Sequence, residues 1–140
     1  MLDPVGTNVI GVGFDLVDVA RFRTTLARTP SMVERMFTPG ERDYALRVSD
    51  PTERLAVRFA AKEAVMKALG VGLGAFGFHD VEVCRADDGV PSLGVYNAAQ
   101  RLAVEAGVDT WRITLTHTET TAGAVVLAVG PGATAPAADR

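Results

Sequence analysis

Residues 9–17, VIGVGFDLV, alternate in a way that places Ile10, Val12, Phe14 and Leu16 on one side and Gly11, Gly13 and Asp15 on the other. A period of two is that of a β-strand. A short helix is predicted over 18–28, broken by Thr29-Pro30-Ser31. SMVERMF reads as a further helical turn or two, with Ser31 as cap and Glu34 three residues on. Thr38-Pro39-Gly40-Glu41 has the chemistry of a helix start, and that helix runs to about Val48 before Asp50-Pro51-Thr52. The longest helix is predicted over Thr52–Leu69, with Gly70 as its C-cap.

A glycine-rich loop then leads to a strand at Val81–Arg85. The Asp88-Gly89 turn gives a second strand around Ser92–Tyr96. A helix over 97–106 stops at Gly107, and strands Trp111–Thr116 and Ala122–Val129 form an antiparallel pair. Separated strands and helices without a repeat predict a single α+β domain over 9–129. Residues 1–8 are read as a leader, and 130–140, GPGATAPAADR, as a disordered tail.

Composition changes this picture in three ways. No apolar run in the 140 residues reaches the roughly 20 needed to span a bilayer, so a membrane partner is not expected. The N-terminus lacks the layout of a secretory signal, and the lone cysteine, Cys84, has no internal disulfide partner. Cys84 is expected to be a small buried side chain within VEVC, and the location cytoplasmic. The formal net charge of −3 hides a basic sector between Arg21 and Lys67, where Arg21, Arg23 and Arg28 follow one another with no acid between them. A discrete anionic partner fits that sector better than nucleic acid.

The chain's basic residues are arginine except for Lys62 and Lys67, on either side of Glu63. At about 100° per residue, Val57, Ala60, Ala61, Ala64 and Ala68 make a narrow face of small side chains that allows close approach of a neighbour. Glu63 and Lys67 fall on one flank of it, Arg58 and Lys62 on the other. By spacing alone, Glu63–Lys67 is either a surface ion pair or part of a site that needs a point cation, for which lysine is the better choice. Asp15, on a strand face stripped by two glycines, either leaves room for a ligand or belongs to a strand packed tightly on a helix. His117 ends a strand, where a structural and a functional role are both open.

Taken together these segments resemble the holo-acyl-carrier-protein synthase family of small 4′-phosphopantetheinyl transferases. The resemblance is carried by GFDLVDVARF (Gly13–Phe22), FTPGE (Phe37–Glu41), RFAAKEAVMKALG (Arg58–Gly70), FHDVEV (Phe78–Val83) and TLTHT (Thr114–Thr118), in order over about residues 9–129. Phe14 and Thr121 depart from the family's usual residues. The resemblance implies an antiparallel sheet packed with one long helix and several short ones. It also implies transfer of the phosphopantetheine arm of coenzyme A to a serine of an acidic apo acyl carrier protein.

By the same resemblance, Asp15 and Glu63 hold Mg²⁺ and Lys67 contacts the phosphates. Arg58, Gly70, His117 and Thr118 serve the coenzyme A side. Lys62 serves either coenzyme A or the helix surface. The acceptor of the serine proton is left open between Glu63 and a metal-bound water. Arg21, Arg23 and Arg28 dock the carrier protein, and the assembly is a homotrimer with active sites at subunit boundaries. The alternative is a module that binds coenzyme A or a carrier protein without turnover.

Overall fold

Helix Thr52–Leu69 is buried on almost every side, including its Arg58 and Lys62. Its neighbours account for this. The computed structural model describes residues 7–131, in which β1 (Thr7–Asp18) leads into α1 (Val19–Arg28), α2 (Met32–Met36), α3 (Pro39–Ala45) and the long helix, α4. A 3₁₀ turn (Phe78–Asp80) precedes β2 (Val81–Arg85) and β3 (Pro91–Val95); α5 (Asn97–Ala106), β4 (Thr110–His117) and β5 (Thr121–Pro131) follow. β1, β5 and β4 form one antiparallel sheet in that order, and β2 and β3 form a separate hairpin. The α+β class and the predicted antiparallel pair are as the sequence indicates.

β1 and α4 meet backbone to backbone. A Cβ at Gly13 would stand 1.7 Å from the Ala64 carbonyl oxygen, and one at Gly11 1.9 Å from that of Ala68. The glycines of the strand and the alanines of the helix are therefore two halves of one contact, and the room at Gly13 is filled by α4 itself. The buried face of the sheet is completed by Ala124, Val126 and Ala128 of β5. A second cluster joins Phe22, Phe37 and Leu55, and Phe22 stacks on Phe59 at 5.4 Å between ring centroids.

The opposite face of β1 is not core. Val12, Phe14 and Leu16 are 57%, 53% and 58% exposed. Val12 stands opposite Leu127 and Phe14 opposite Val125, so the exposed apolar surface continues onto β5. Leaving such side chains half in water forgoes about 1 kcal/mol or more each.

Several local expectations need correction. Ser31 makes no side-chain cap bond, because its own backbone is already helical at φ −63°, ψ −15°. α3 ends at Ala45, with the Leu46 N–H closing on Arg42 and Tyr44. Cys84 is half-buried and shares a face of β2 with Glu82, while Val81 and Val83 take the buried face. Thr7 and Asn8 pair with Pro131 and Gly130, so the sheet takes in the end of the expected leader and the start of the expected tail. Residues 1–6 and 132–140 of those segments lie outside the described residues.

Candidate active site

β1 carries Asp15 and α4 carries Glu63, and both side chains line one groove of about 310 Å³ with Asp18, Arg21 and Phe59. The close Gly13–Ala64 contact is what brings the two elements near enough for this. Burial raises the Glu63 pKa above its ordinary value, the neighbouring Asp15 charge raises it further, and Lys67 opposes both. The two carboxylates therefore interact, although they come from opposite ends of the fold's first half. Lys67 does not pair with Glu63 along the helix. Its ammonium donates to Asp15 Oδ1 at 3.1 Å and to the Phe14 carbonyl at 3.0 Å. Only Oδ1 of Asp15 is engaged in this way among the described residues. Among the described residues no cluster of three or more His, Cys, Asp or Glu side chains could hold a metal.

Glu63 also lines a second, mostly apolar groove of about 410 Å³ with Met32, Met36, Phe59, Leu73 and Phe78, and with Arg35 among its lining residues. Gly70 takes the left-handed conformation, φ +69°, that closes α4, and nothing stands within 4 Å of where a Cβ would be. Thr118 is occupied by the β4–β5 turn, where its hydroxyl oxygen accepts from the N–H groups of Thr120 and Thr121.

Lys62 is neither on the helix surface nor open to a ligand. Its side chain has no exposed surface and its ammonium lies 2.8 Å from Glu41 Oε1. It also donates to the carbonyls of Phe78 and Val81. Burial pushes the Lys62 pKa down while Glu41 pulls it back up. The correction has a simple cause: the flank of α4 that holds Arg58 and Lys62 is covered by α3 and β2.

Arg58 is 1% exposed, its Nη1 donates to the Arg54 carbonyl at 3.0 Å, and its Nε has no hydrogen-bond partner among the described residues. Its guanidinium stacks over Tyr44 at 4.5 Å, and those of Arg54, Arg47 and Arg85 approach the same ring at 4.3, 5.5 and 5.7 Å. Burial, then the charge of Arg85, lowers the Arg58 pKa. Two cavities, about 540 and 470 Å³, flank this arginine cluster, and His117 lines the second, with Nδ1 3.3 Å from Glu53 Oε1. Neither cavity shares a lining residue with the Asp15–Glu63 groove.

Comparison with known proteins decides the family. The family model of the 4′-phosphopantetheinyl transferase superfamily matches residues 11–126. The chain belongs to this superfamily. A holo-[acyl-carrier-protein] synthase of Frankia alni is 47% identical over 86% of this chain and 97% of its own length. The crystal structure of the holo-[acyl-carrier-protein] synthase of Neisseria meningitidis matches with a TM-score of 0.79 at 29% identity, covering 86% of this chain and 98% of that one. A Bacillus anthracis synthase, crystallised in complex with coenzyme A (3′,5′-ADP), matches with a TM-score of 0.73 at 30% identity, covering 87% and 97%.

In this member of the superfamily the carrier-docking candidates divide. Arg21 lines the carboxylate groove and Arg28 is exposed at the end of α1, but Arg23 is held by Asp50 at 3.0 Å. Tyr44, Arg47, Arg54 and Arg85 were not singled out from sequence. The i, i+4 spacing of Arg54 and Arg58 on α4 was a usable signal. Arg85 gave none, because it reaches Tyr44 only through the packing of β2 on α3. Cys84 faces the larger arginine-lined cavity, and burial followed by the charges of Glu82 and Glu41 raises its pKa, which keeps it a thiol. Among the described residues no helix is long and apolar enough to cross a membrane.

Proposed function

We propose that the chain transfers the 4′-phosphopantetheine group of coenzyme A to a serine of an apo acyl carrier protein, giving the holo carrier protein and adenosine 3′,5′-bisphosphate. The observation that carries this is the single groove shared by Asp15 and Glu63, with Lys67 at its edge, in a chain whose relatives bear the synthase name.

Two carboxylates and no nitrogen or sulfur ligand suit Mg²⁺, which is usually held by one or two carboxylates together with substrate phosphates. When bound, the ion would neutralise charge on the phosphates during in-line displacement. Asp15 and Glu63 would hold it. Lys67 would fix Asp15 by engaging Oδ1 and supply a positive charge to the phosphates. The arginine cluster at Tyr44, in which Arg58 is buried and Arg47 and Arg85 are exposed, would take the anionic nucleotide end, with His117 on the neighbouring cavity. The unpartnered Arg58 Nε and the lowered Arg58 pKa both favour an anion there.

The arginine cavities and the carboxylate groove are separate within one chain, so one subunit's arginines would serve another's carboxylates. A homotrimer is proposed on that ground and on the exposed Val12–Phe14–Leu16 face, which needs a cover. The acidic carrier protein would approach Arg21 beside the groove and Arg28 beyond it, with charge complementarity chiefly speeding encounter. A cytoplasmic setting is proposed from the substrate and the lone free thiol.

The test is incubation with coenzyme A, Mg²⁺ and a set of apo carrier proteins, read by the mass of each carrier. Phosphopantetheine addition abolished by EDTA is the expected result. Coenzyme A binding with no mass gain on any carrier would favour the non-catalytic module instead.

A further inference from the structure

The Lys62–Glu41 pair is unusual in where it spends its hydrogen bonds. Both side chains have zero exposed surface and meet at 2.8 Å. The ammonium also donates to the carbonyls of Phe78, at 2.7 Å, and Val81. The Glu41 carboxylate accepts from the N–H of Thr38 at 3.0 Å and of Val83 at 2.8 Å. One side chain of α4 is thereby tied to the start of α3, the 3₁₀ turn and the start of β2.

Stability does not account for such a device. An apolar pair of similar volume usually serves a core as well or better, because two buried charges lose their hydration. What directional bonds supply is a fixed geometry. α4 has need of one, since its contact with β1 runs through Gly11, Gly13, Ala64 and Ala68. A face of that kind sets distance closely but has few large side chains to resist rotation. Glu63 comes next after Lys62, and among the described residues no side chain donates a hydrogen bond to it. The rotation of the helix sets the direction of its Cα–Cβ bond, and with it the region its carboxylate can reach. At a helix radius of about 5–6 Å, a turn of roughly 10° moves that carboxylate by about 1 Å. A displacement of that size costs on the order of 10²-fold in a reaction that depends on placement.

We propose that the buried Lys62–Glu41 pair is a positioning device for Glu63, fixing the rotation of α4 and so the aim of the Glu63 carboxylate toward Asp15. This rests on the reading of Glu63 as half of the metal site. Lys62 touches no reacting atom; it acts through its neighbour.

Two variants test it: Glu41→Gln with Lys62→Met, which removes both charges at similar volume, and Glu41→Asp, which keeps both charges but shortens the tie by one methylene. Circular dichroism reports folding. Turnover gives kcat and the coenzyme A KM, and Mn²⁺ titration followed by electron paramagnetic resonance, with saturating coenzyme A, reports the site without turnover. The expected result is a folded variant with KM near wild type, kcat lower by about 10- to 100-fold, and Mn²⁺ affinity weakened in parallel. Wild-type kcat and Mn²⁺ affinity in either folded variant overturn the proposal. So does loss of fold in both, which would make the pair a requirement of folding alone. Metal-independent turnover by the unsubstituted protein would instead remove the metal reading of Glu63, and the proposal with it.

Discussion

The Lys67 ammonium stands 3.1 Å from the Asp15 carboxylate, a residue 52 positions away, rather than beside Glu63 one turn back on its own helix. The consequence is a division of labour between the two acids. Asp15 has a cation on one oxygen, while Glu63 faces the same groove with a raised pKa and no donor among the described side chains.

Replacement of Glu63 by Gln is expected to lower turnover by about 10²–10³-fold without loss of fold. Stability should move the other way. The folded protein holds the Glu63 proton more tightly than the unfolded chain, so folding is penalised as pH rises through the raised pKa, and fully so above it. Gln removes that penalty. Thermal unfolding should therefore give the variant an equal or higher Tm at pH 7, with the advantage vanishing below the ordinary glutamate value of about 4.5. A lower Tm at neutral pH would contradict the assigned electrostatics.

Lys67→Arg keeps the charge yet replaces a point cation, now shared by Asp15 Oδ1 and the Phe14 carbonyl, with a broad planar fork. kcat/KM should fall by about tenfold or more. Steady-state kinetics with full activity in this variant would reduce Lys67 to a generic surface charge.

Arg21 and Arg23 should behave differently although they are neighbours in α1. Arg23 is already paired with Asp50, and Arg21 lines the carboxylate groove. Arg21→Glu should raise the carrier-protein KM much more than Arg23→Glu, and the difference should shrink as salt is added. Initial rates at two ionic strengths decide it; equal effects would argue against docking at the groove.

Gly13→Ala would place a Cβ 1.7 Å from the Ala64 carbonyl oxygen, which is backbone and cannot swing aside. β1 and α4 must separate, at a cost of about 1–3 kcal/mol or more. Denaturant unfolding should show this loss, accompanied by lower activity, because the same contact carries Asp15 toward Glu63. An unchanged midpoint would mean that the two elements can part freely.

Phe14→Glu places a charge at the centre of the exposed face of β1, where the native ring is 53% exposed and stands opposite Val125. If that face joins subunits, light scattering should report a trimer for the wild type and smaller species for the variant. A wild-type monomer would leave the apolar face without the proposed cover.

Much of the fold was legible because its signals are local. α4 runs over Thr52–Leu69 as its pattern and Gly70 indicate, and Thr38 with Glu41 forms the capping box that their spacing announces. Asp15, Glu63 and Lys67 stood out by residue type, and Arg58 by its motif. What stayed hidden was contact across the chain. The capping box says that Glu41 reaches back to Thr38, but nothing near it in sequence says that the same carboxylate meets Lys62. Nor does any local pattern gather Arg47, Arg54, Arg58 and Arg85 around Tyr44.

The alternation in β1 likewise determined that the strand has an apolar side and a glycine side, since a period of two depends only on backbone geometry. It did not say which side is buried. The fold put the glycines inward, because α4 offers a face of alanines and only a side without Cβ atoms lets the two backbones meet. The same close packing gave two lysines five residues apart opposite tasks: Lys62 locked in the interior, Lys67 at the groove. Sequence supplied the charges and their order, and tertiary packing chose a partner for each.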